Sequence, residues 1–323
     1  VTAPELRQCP VTGRCAVIAP ERAGRPLPAT VAPPAESRPC PFCPGMEHDT
    51  PNECYADRDP GTAPNGPGWR LRVVPNKYPA VRRPNPAEPP PVHGRFATGR
   101  HELVIESRRH VTDPADLTPA EMLAVVRAYR DRVRALAADP AVQSVTVFKN
   151  VGRDAGASLD HAHSQIIALP VVPETLAAEW AGAATYFART GECVFCAMLG
   201  DDIRRVARTE RFAALTPLAP RFAYETWILP LRHASHFETL TDAAAADLAG
   251  LLLALFGRLR AVLPGVAYNL YLHNGAPRGE PNPAYHWHFE LTPRTSQAAG
   301  FEWATGCYMV AVAPEVAARA LRW

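Results

Sequence analysis

Asp160-His161-Ala162-His163-Ser164-Gln165 runs directly into the apolar Ile166-Ile167-Ala168-Leu169-Pro170. Two histidines two apart, at the mouth of a β-branched run, read as the start of a strand. Residues i and i+2 of a strand share a face, about 7 Å apart. That spacing serves one tetrahedral ion poorly with both rings, so one histidine can be anchored while the other stays free. Gln165 continues the same face. An isolated His-X-His is as readily a polar strand end with two solvated rings, so the surrounding chain decides.

Outward from this stretch the chain says the same thing twice. The first half carries Cys40-Pro41-Phe42-Cys43, a strand-like run at 70–74, and His101-Glu-Leu-Val-Ile-Glu-Ser-Arg-Arg-His110. It continues with Leu117-Thr118, a helix to about 138, a strand at 144–148, Asn150-Val151-Gly152 and the histidine pair. The second half carries Cys193-Val194-Phe195-Cys196, a run at 212–215, and Glu225-Thr-Trp-Ile-Leu-Pro-Leu-Arg-His233. Leu240-Thr241, a helix to about 263, a strand at 267–272, Asn274-Gly275 and His286-Trp287-His288 complete it. His110 precedes Thr118 by eight residues, as His233 precedes Thr241; Asn150 precedes His161 by eleven, Asn274 precedes His286 by twelve. Agreement at this many points implies duplication of one folding unit. We expect halves at 1–180 and 181–323, with a Pro-rich insertion only in the first.

Thr118-Pro119-Ala120-Glu121 predicts a capping box with proline in the first turn. Leu123, Val126, Val133 and Ala137 recur at helical spacing, and the second helix is apolar on more of its circumference. Strand, helix and strand in each half predict an α+β fold: antiparallel sheets with helices packed on one side.

At 323 residues, 47% hydrophobic and 20% charged, the chain can bury a sizeable core. Its net charge of +2 offers no strong field for nucleic acid or an acidic membrane surface. No apolar run has the length of a membrane span and no signal-peptide pattern opens the sequence, so a cytoplasmic protein is expected. There, four of its eight cysteines, paired as CxxC, suit metal thiolates better than disulfides. Each half supplies two thiolates and two imidazoles: Cys40, Cys43, His110 and His161, then Cys193, Cys196, His233 and His286. Two sulfurs and two nitrogens make a closed, structural zinc site, giving two zinc ions per chain. In the second site His288 or His236 could displace a named ligand. With His161 and His286 on metal, His163 and His288 are left as equivalents. Ser164 and Gln165 beside His163 are neutral and able to hold a phosphate, whereas His288 faces Glu290, whose charge should repel one. The first half is therefore expected to be catalytic and the second its structural copy.

These residues resemble the galactose-1-phosphate uridylyltransferase family of the histidine triad superfamily over nearly the whole chain. The motifs are Arg7-Gln-Cys-Pro-Val-Thr-Gly13, Ala19-Pro-Glu-Arg-Ala-Gly-Arg-Pro26, CPFCPG and Val73-Val-Pro-Asn-Lys-Tyr-Pro-Ala80. Phe148-Lys-Asn-Val-Gly-Arg-Asp-Ala-Gly-Ala-Ser158 and HAHSQ complete them. Within the family the motifs look most like the plant ADP-glucose phosphorylase subgroup: HSQ after the first pair, a second CxxC, and Gly300-Phe-Glu-Trp-Ala-Thr-Gly-Cys-Tyr308. The better-known uridylyltransferases read HPHGQ and lack the second cysteine pair, a departure that concerns the base and the acceptor.

The resemblance implies a histidine-triad-like fold and double displacement through a nucleotidyl-histidine, with His163 as nucleophile. Gln165 can donate to a phosphate oxygen but cannot act as acid or base, which favours an intermediate that waits for an acceptor over one lost to water. Gly156 and Ser158 suggest a loop whose backbone approaches phosphate. By resemblance, Arg22 and Arg25 grip the sugar phosphate, Asn76 and Tyr78 line the nucleoside pocket, Asn150 lies near the phosphates and Glu302 contacts the hexose. The partners implied are a nucleotide sugar and a sugar-1-phosphate or phosphate, in a homodimer. Three readings stand: uridylyl transfer from UDP-glucose to galactose-1-phosphate as the default, ADP-sugar phosphorolysis, and a zinc-stabilised nucleotide-binding protein without turnover.

Overall fold

The computed structural model describes residues 5–19, 39–83, 85, 87, 89, 93 and 96–323. Strands β1 (Glu5–Gln8) and β2 (Cys15–Ile18) come first, then β3 (Tyr55–Arg58), β4 (Trp69–Pro75) and β5 (Arg100–Ile105). Helix α1 (Pro119–Ala137), β6 (Ser144–Val151) and β7 (His163–Leu169) complete the first unit. Helices α2 (Glu174–Thr190) and α3 (Val194–Met198) lead into β8 (Arg205–Arg208), β9 (Phe212–Leu215) and β10 (Thr226–Pro230). After these come α4 (Asp242–Val262), β11 (Tyr268–His273), β12 (His288–Pro293), α5 (Gly300–Thr305), β13 (Tyr308–Val310) and α6 (Pro314–Leu321).

Ten strands form one antiparallel sheet in the order β3-β4-β5-β7-β6-β11-β12-β10-β9-β8, so each half contributes five and the second order mirrors the first. At the seam Phe148 pairs with Tyr271. These two are counterparts, since Phe148 faces Gln165 across β6–β7 and Tyr271 faces Glu290 across β11–β12. A residue paired with its own counterpart lies on a pseudo-two-fold axis, and the expected duplicated α+β fold is present. The same register corrects one expected equivalence. His273, paired with His288, is the counterpart of Asn150, and Asn274 lies one place beyond it.

Both long helices lie on one face, as expected. Thr118 accepts from the Glu121 N–H while the Glu121 carboxylate accepts from the Thr118 N–H, closing the capping box. Val126, Val133, Leu252, Leu255 and Phe256 pack against Ile166, Leu270, Phe289 and Leu291 in one core. Each such side chain contributes roughly 1.5–3 kcal/mol on burial.

The opposite face distinguishes the halves. Across the second half it is covered by α2, α3 and a small β1-β2-β13 sheet, which together bury Trp227, Leu229, Phe195 and Tyr285. A Cβ at Gly182 of α2 would stand 1.7 Å from the Val11 carbonyl oxygen, so only glycine lets this helix lie against the N-terminal segment. The alanine-rich stretch that makes α2 lacks a polar cap and was not expected as a helix; it runs across the 180/181 division. Across the first half the same face carries, among the described residues, a small cluster of Phe42, Trp69, Val74 and Ile105, and it holds His163 and Gln165.

Candidate active site and metal centres

Strand β7 begins at His163, leaving His161 in the turn just before it. The two rings therefore part company. His161 Nδ1 lies 3.6 Å from Cys40 Sγ and 3.7 Å from Cys43 Sγ, and His110 Nδ1 lies 3.3 Å from Cys43 Sγ. An ion held at zinc–sulfur and zinc–nitrogen bond lengths in a tetrahedron separates S from N by about 3.5 Å. The observed spacings fit that geometry. His161 Nε2–H donates to the Ser107 carbonyl at 2.8 Å, leaving Nδ1 as the lone pair that faces the sulfurs, an arrangement typical of metal-bound imidazole. Burial and the neighbouring Cys40 push the Cys43 thiol up, so two thiolates here need a cation.

The second quartet repeats the first. His233 Nδ1 and His286 Nδ1 lie 3.4 Å and 3.6 Å from Cys196 Sγ, and all four ligand atoms cluster within 4.8 Å. Burial and Cys193 push the Cys196 thiol up to about 12, and burial with His233 and His288 beside it brings His286 down to about 3. His236 is engaged elsewhere, by Ser235 and the Ala276 carbonyl. Both quartets thus form groups that can hold a metal ion.

His163 is 7% exposed. Its Nδ1–H donates to the His161 carbonyl at 2.8 Å, and its Nε2 has no hydrogen-bond partner among the described residues. The imidazole therefore presents an unshared pair on Nε2 toward the open face, and burial holds its pKa below the ordinary histidine range. The Phe42 ring, inside the first CxxC, stands edge-on to both His163 and His161, at 5.3 and 6.0 Å. Beneath the strand runs a buried network, and it claims Ser164: expected to help hold a phosphate, that side chain is fully buried on the face opposite His163. Lys149 Nζ donates to Glu106 at 2.6 Å and to the His163 carbonyl at 3.2 Å, while Ser164 and Tyr129 also donate to Glu106.

The other expected residues surround this pair unevenly. Gln165 Oε1 lies 2.8 Å from His101 Nε2, and Asn76 Nδ2 lies 3.1 Å from the same atom. Tyr78 is exposed and gives its backbone N–H to Asn76 Oδ1. Asn150 accepts from Asn269 Nδ2 at 2.7 Å, and Asn269 also holds the Ala155 carbonyl, so a residue of the second half braces the loop after β6. In that loop Gly156 adopts φ +85°, while Gly152 (φ +80°) passes so close to Ala267 that a Cβ would stand 2.8 Å away. Ser158 is exposed just beyond. This loop, Lys149 and His163 line one cleft together with the end of α4. Glu302 is buried and accepts from the Ala299 N–H at the start of α5. Arg22 and Arg25 lie outside the described residues.

Comparison with known proteins follows the same lines. A family model described as the N-terminal domain of galactose-1-phosphate uridyl transferase matches residues 1–173. The chain is 35% identical to ADP-glucose phosphorylase of Arabidopsis thaliana, covering 99% of this chain and 92% of that protein. It is 27% identical to galactose-1-phosphate uridylyltransferase of Thermotoga maritima, covering 98% of each. A crystal structure of the Arabidopsis phosphorylase with bound ADP-glucose superposes with a TM-score of 0.87 at 34% identity, covering 99% of both chains. The chain belongs to the galactose-1-phosphate uridyl transferase family. It is a nucleotidyl-transferring enzyme.

As a family member it carries one open histidine and one sealed copy. The sheet register matches Glu106, Lys149 and Ser164 with Pro230, Leu272 and Phe289, and the helix caps match Tyr129 with Leu252. Every polar member of the network behind His163 is thus apolar in the second half. His288 is fully buried, stacked on Trp227 with centroids 5.0 Å apart and flanked by Phe195 and His273. Its expected packing partners, the strand neighbours of Trp287, are on the helix side instead, because Trp287 points to the opposite face. The expected repulsion by Glu290 is also corrected. Arg221 and Tyr271 donate to its carboxylate, and the Arg221 charge, with His273 beside it, holds it ionised despite full burial. His288 lies on the face covered by α2 and α3.

Proposed function

We propose that the chain transfers a nucleotidyl group from a nucleotide sugar to a phosphate-bearing acceptor through His163. The observation that carries this is the His163 ring itself: Nδ1–H fixed on the His161 carbonyl and Nε2 free. Nε2 attacks the nucleoside-bound phosphorus, a P–N bond forms, and the bridging P–O bond breaks to release the sugar-1-phosphate. The ring then carries positive charge, which the His161 carbonyl stabilises by accepting Nδ1–H. An acceptor oxygen attacks the same phosphorus from the opposite side and returns the electron pair to Nε2. Gln165 donates to a non-bridging oxygen throughout. Asn150, Gly156 and Ser158 border the phosphates, Asn76 and Tyr78 the nucleoside, and Arg22, Arg25 and Glu302 keep the sugar-phosphate roles implied by resemblance.

Residues 1–180 form the catalytic half in this reading and 181–323 the structural copy, supported by the apolar replacement of the Glu106–Lys149 network. Each cysteine–histidine quartet holds one zinc, whose bonds fix the His161 backbone and so the nucleophile's hydrogen-bond acceptor. Reduced thiolates suit a cytoplasmic location, and no described helix is long and apolar enough to cross a membrane. The family resemblance supports a homodimer, for which sedimentation at twice the chain mass is the check.

Among substrates we place ADP-glucose with phosphate as acceptor first. Similarity to the Arabidopsis phosphorylase at 35% against 27% to the Thermotoga uridylyltransferase supports that order, and so does the second CxxC. The uridylyl default is supported by the family model. Mixing the enzyme with ADP-glucose or UDP-glucose in separate experiments decides between them. ADP-glucose is expected to give the faster release of glucose-1-phosphate, with phosphate then discharging the enzyme as ADP. Faster reaction with UDP-glucose, discharged only by galactose-1-phosphate, would reverse the order.

A further inference from the structure

His101 sits on β5, one diagonal step from Gln165 on β7. The register pairs Leu103 with Gln165 and His101 with Ile167, so the long Gln165 side chain reaches the His101 ring on the open face. His101 is nearly buried, and both ring nitrogens are occupied. The Ala80 backbone N–H donates to Nδ1 at 3.1 Å. A backbone donor cannot be flipped, so Nδ1 is the lone-pair nitrogen and the hydrogen of the neutral ring is on Nε2. That Nε2–H donates to Gln165 Oε1 at 2.8 Å.

The consequence concerns the other end of the amide. With its oxygen held by His101, Gln165 turns its NH2 group away from the ring. Asn76 Oδ1 accepts from the Tyr78 N–H, which turns its Nδ2 toward His101 Nε2 at 3.1 Å as a second donor; the shorter contact, Gln165 Oε1 at 2.8 Å, is the one the Nε2 hydrogen serves. The tautomer thereby leaves the Gln165 NH2 without an acceptor on the ring, on the face of the sheet that carries His163.

We propose that His101 is a positioning residue for nucleotidyl transfer: it fixes the Gln165 amide so that its NH2, never its oxygen, meets the phosphoryl group bound at His163. This rests on the assignment of His163 as nucleophile. A flipped Gln165 would set a carbonyl oxygen against phosphate oxygens and replace an attraction with a repulsion. Donors fixed in advance where negative charge gathers are among the larger contributions to such reactions, and losing one slows them by about 10²–10³-fold. In the second half the β-sheet register sets Glu225 where His101 stands, so the device belongs to the open half alone.

The test is a double-mutant cycle on the single-turnover rate of nucleotidyl transfer to His163, followed by quenched intact-mass analysis with ADP-glucose and, separately, UDP-glucose. Gln165→Ala should slow the step by about 10²–10³-fold, and His101→Phe should slow it by up to the same factor. Together they should be no slower than Gln165→Ala alone, because the ring acts only through the amide. Multiplying losses in folded protein, or a His101→Phe rate equal to wild type, would overturn the proposal. If His101→Phe does not fold, His101→Leu, which likewise offers no donor to Gln165, enters the cycle in its place. The nitrogen-15 spectrum of the wild-type ring gives an independent readout: an unprotonated Nδ1 is expected, and a protonated Nδ1 would contradict the mechanism. Wild-type protein that takes up no nucleotidyl group with either sugar nucleotide would instead fail the His163 assignment, so the two failures are distinct.

Discussion

His163→Asn protein is expected to fold, to keep its metal, and to lose turnover by about 10⁴-fold or more, the scale seen when a covalent nucleophile is removed. The Asn amide can still donate to the His161 carbonyl, which preserves the local backbone, but it offers no basic nitrogen to phosphorus. What survives must proceed by direct displacement between two anions. Steady-state release of glucose-1-phosphate from ADP-glucose, with the same measurement on UDP-glucose, provides the check. A rate within tenfold of wild type in folded protein would remove His163 from the mechanism.

The second large effect is expected at Cys43. This sulfur approaches both His110 and His161, at 3.3 and 3.7 Å, so Cys43→Ala takes from His110 its near thiolate and leaves His161 with Cys40 alone, at 3.6 Å. The variant should lose one metal ion per chain by elemental analysis. Because the ion binds the folded quartet and not the open chain, its loss is a loss of folding free energy. Changes above about 4 kcal/mol come from a short set of causes that includes loss of a metal, and the melting temperature should fall by roughly 10 °C or more. Activity should fall further than stability alone accounts for, since the His161 carbonyl that holds His163 Nδ1–H loses its anchor. Cys43→Ala with wild-type metal content and melting temperature would contradict the quartet.

The repeat was legible in the sequence because its markers are residue types that occur rarely by chance at fixed spacing: paired cysteines, strand-end histidines, threonine caps. Those marks pick out the histidines that gather with each cysteine pair, His110 and His161 in the first half and His233 and His286 in the second, and give α1 and α4 nearly to the residue. What was missed has no local signature. Glu106, Lys149 and Tyr129 come from separate stretches of chain, Ser164 was expected beside phosphate instead, and only the folded sheet shows that the four meet. His101 read as an ordinary strand residue until Ala80 and Gln165 closed on its two nitrogens. Helix α2 carries no polar cap, and its role as a cover depends on Gly182 meeting Val11 across more than 170 residues of chain. The argument about Glu290 failed for a similar reason: a formal charge was legible, whereas its neutralisation by Arg221, on another segment, was not. The two histidines do differ in their surroundings: His288 is fully buried under aromatic rings, whereas His163 keeps Nε2 without a partner among the described residues.

One measurement bears most directly on the account: the mass of the intact wild-type protein after brief exposure to its nucleotide sugar without acceptor, followed by mapping of the modified peptide. The account predicts one nucleotidyl group per chain, carried by His163, and its discharge on adding acceptor. Two groups per chain, or a single group mapped to His288 or any residue other than His163, would contradict it.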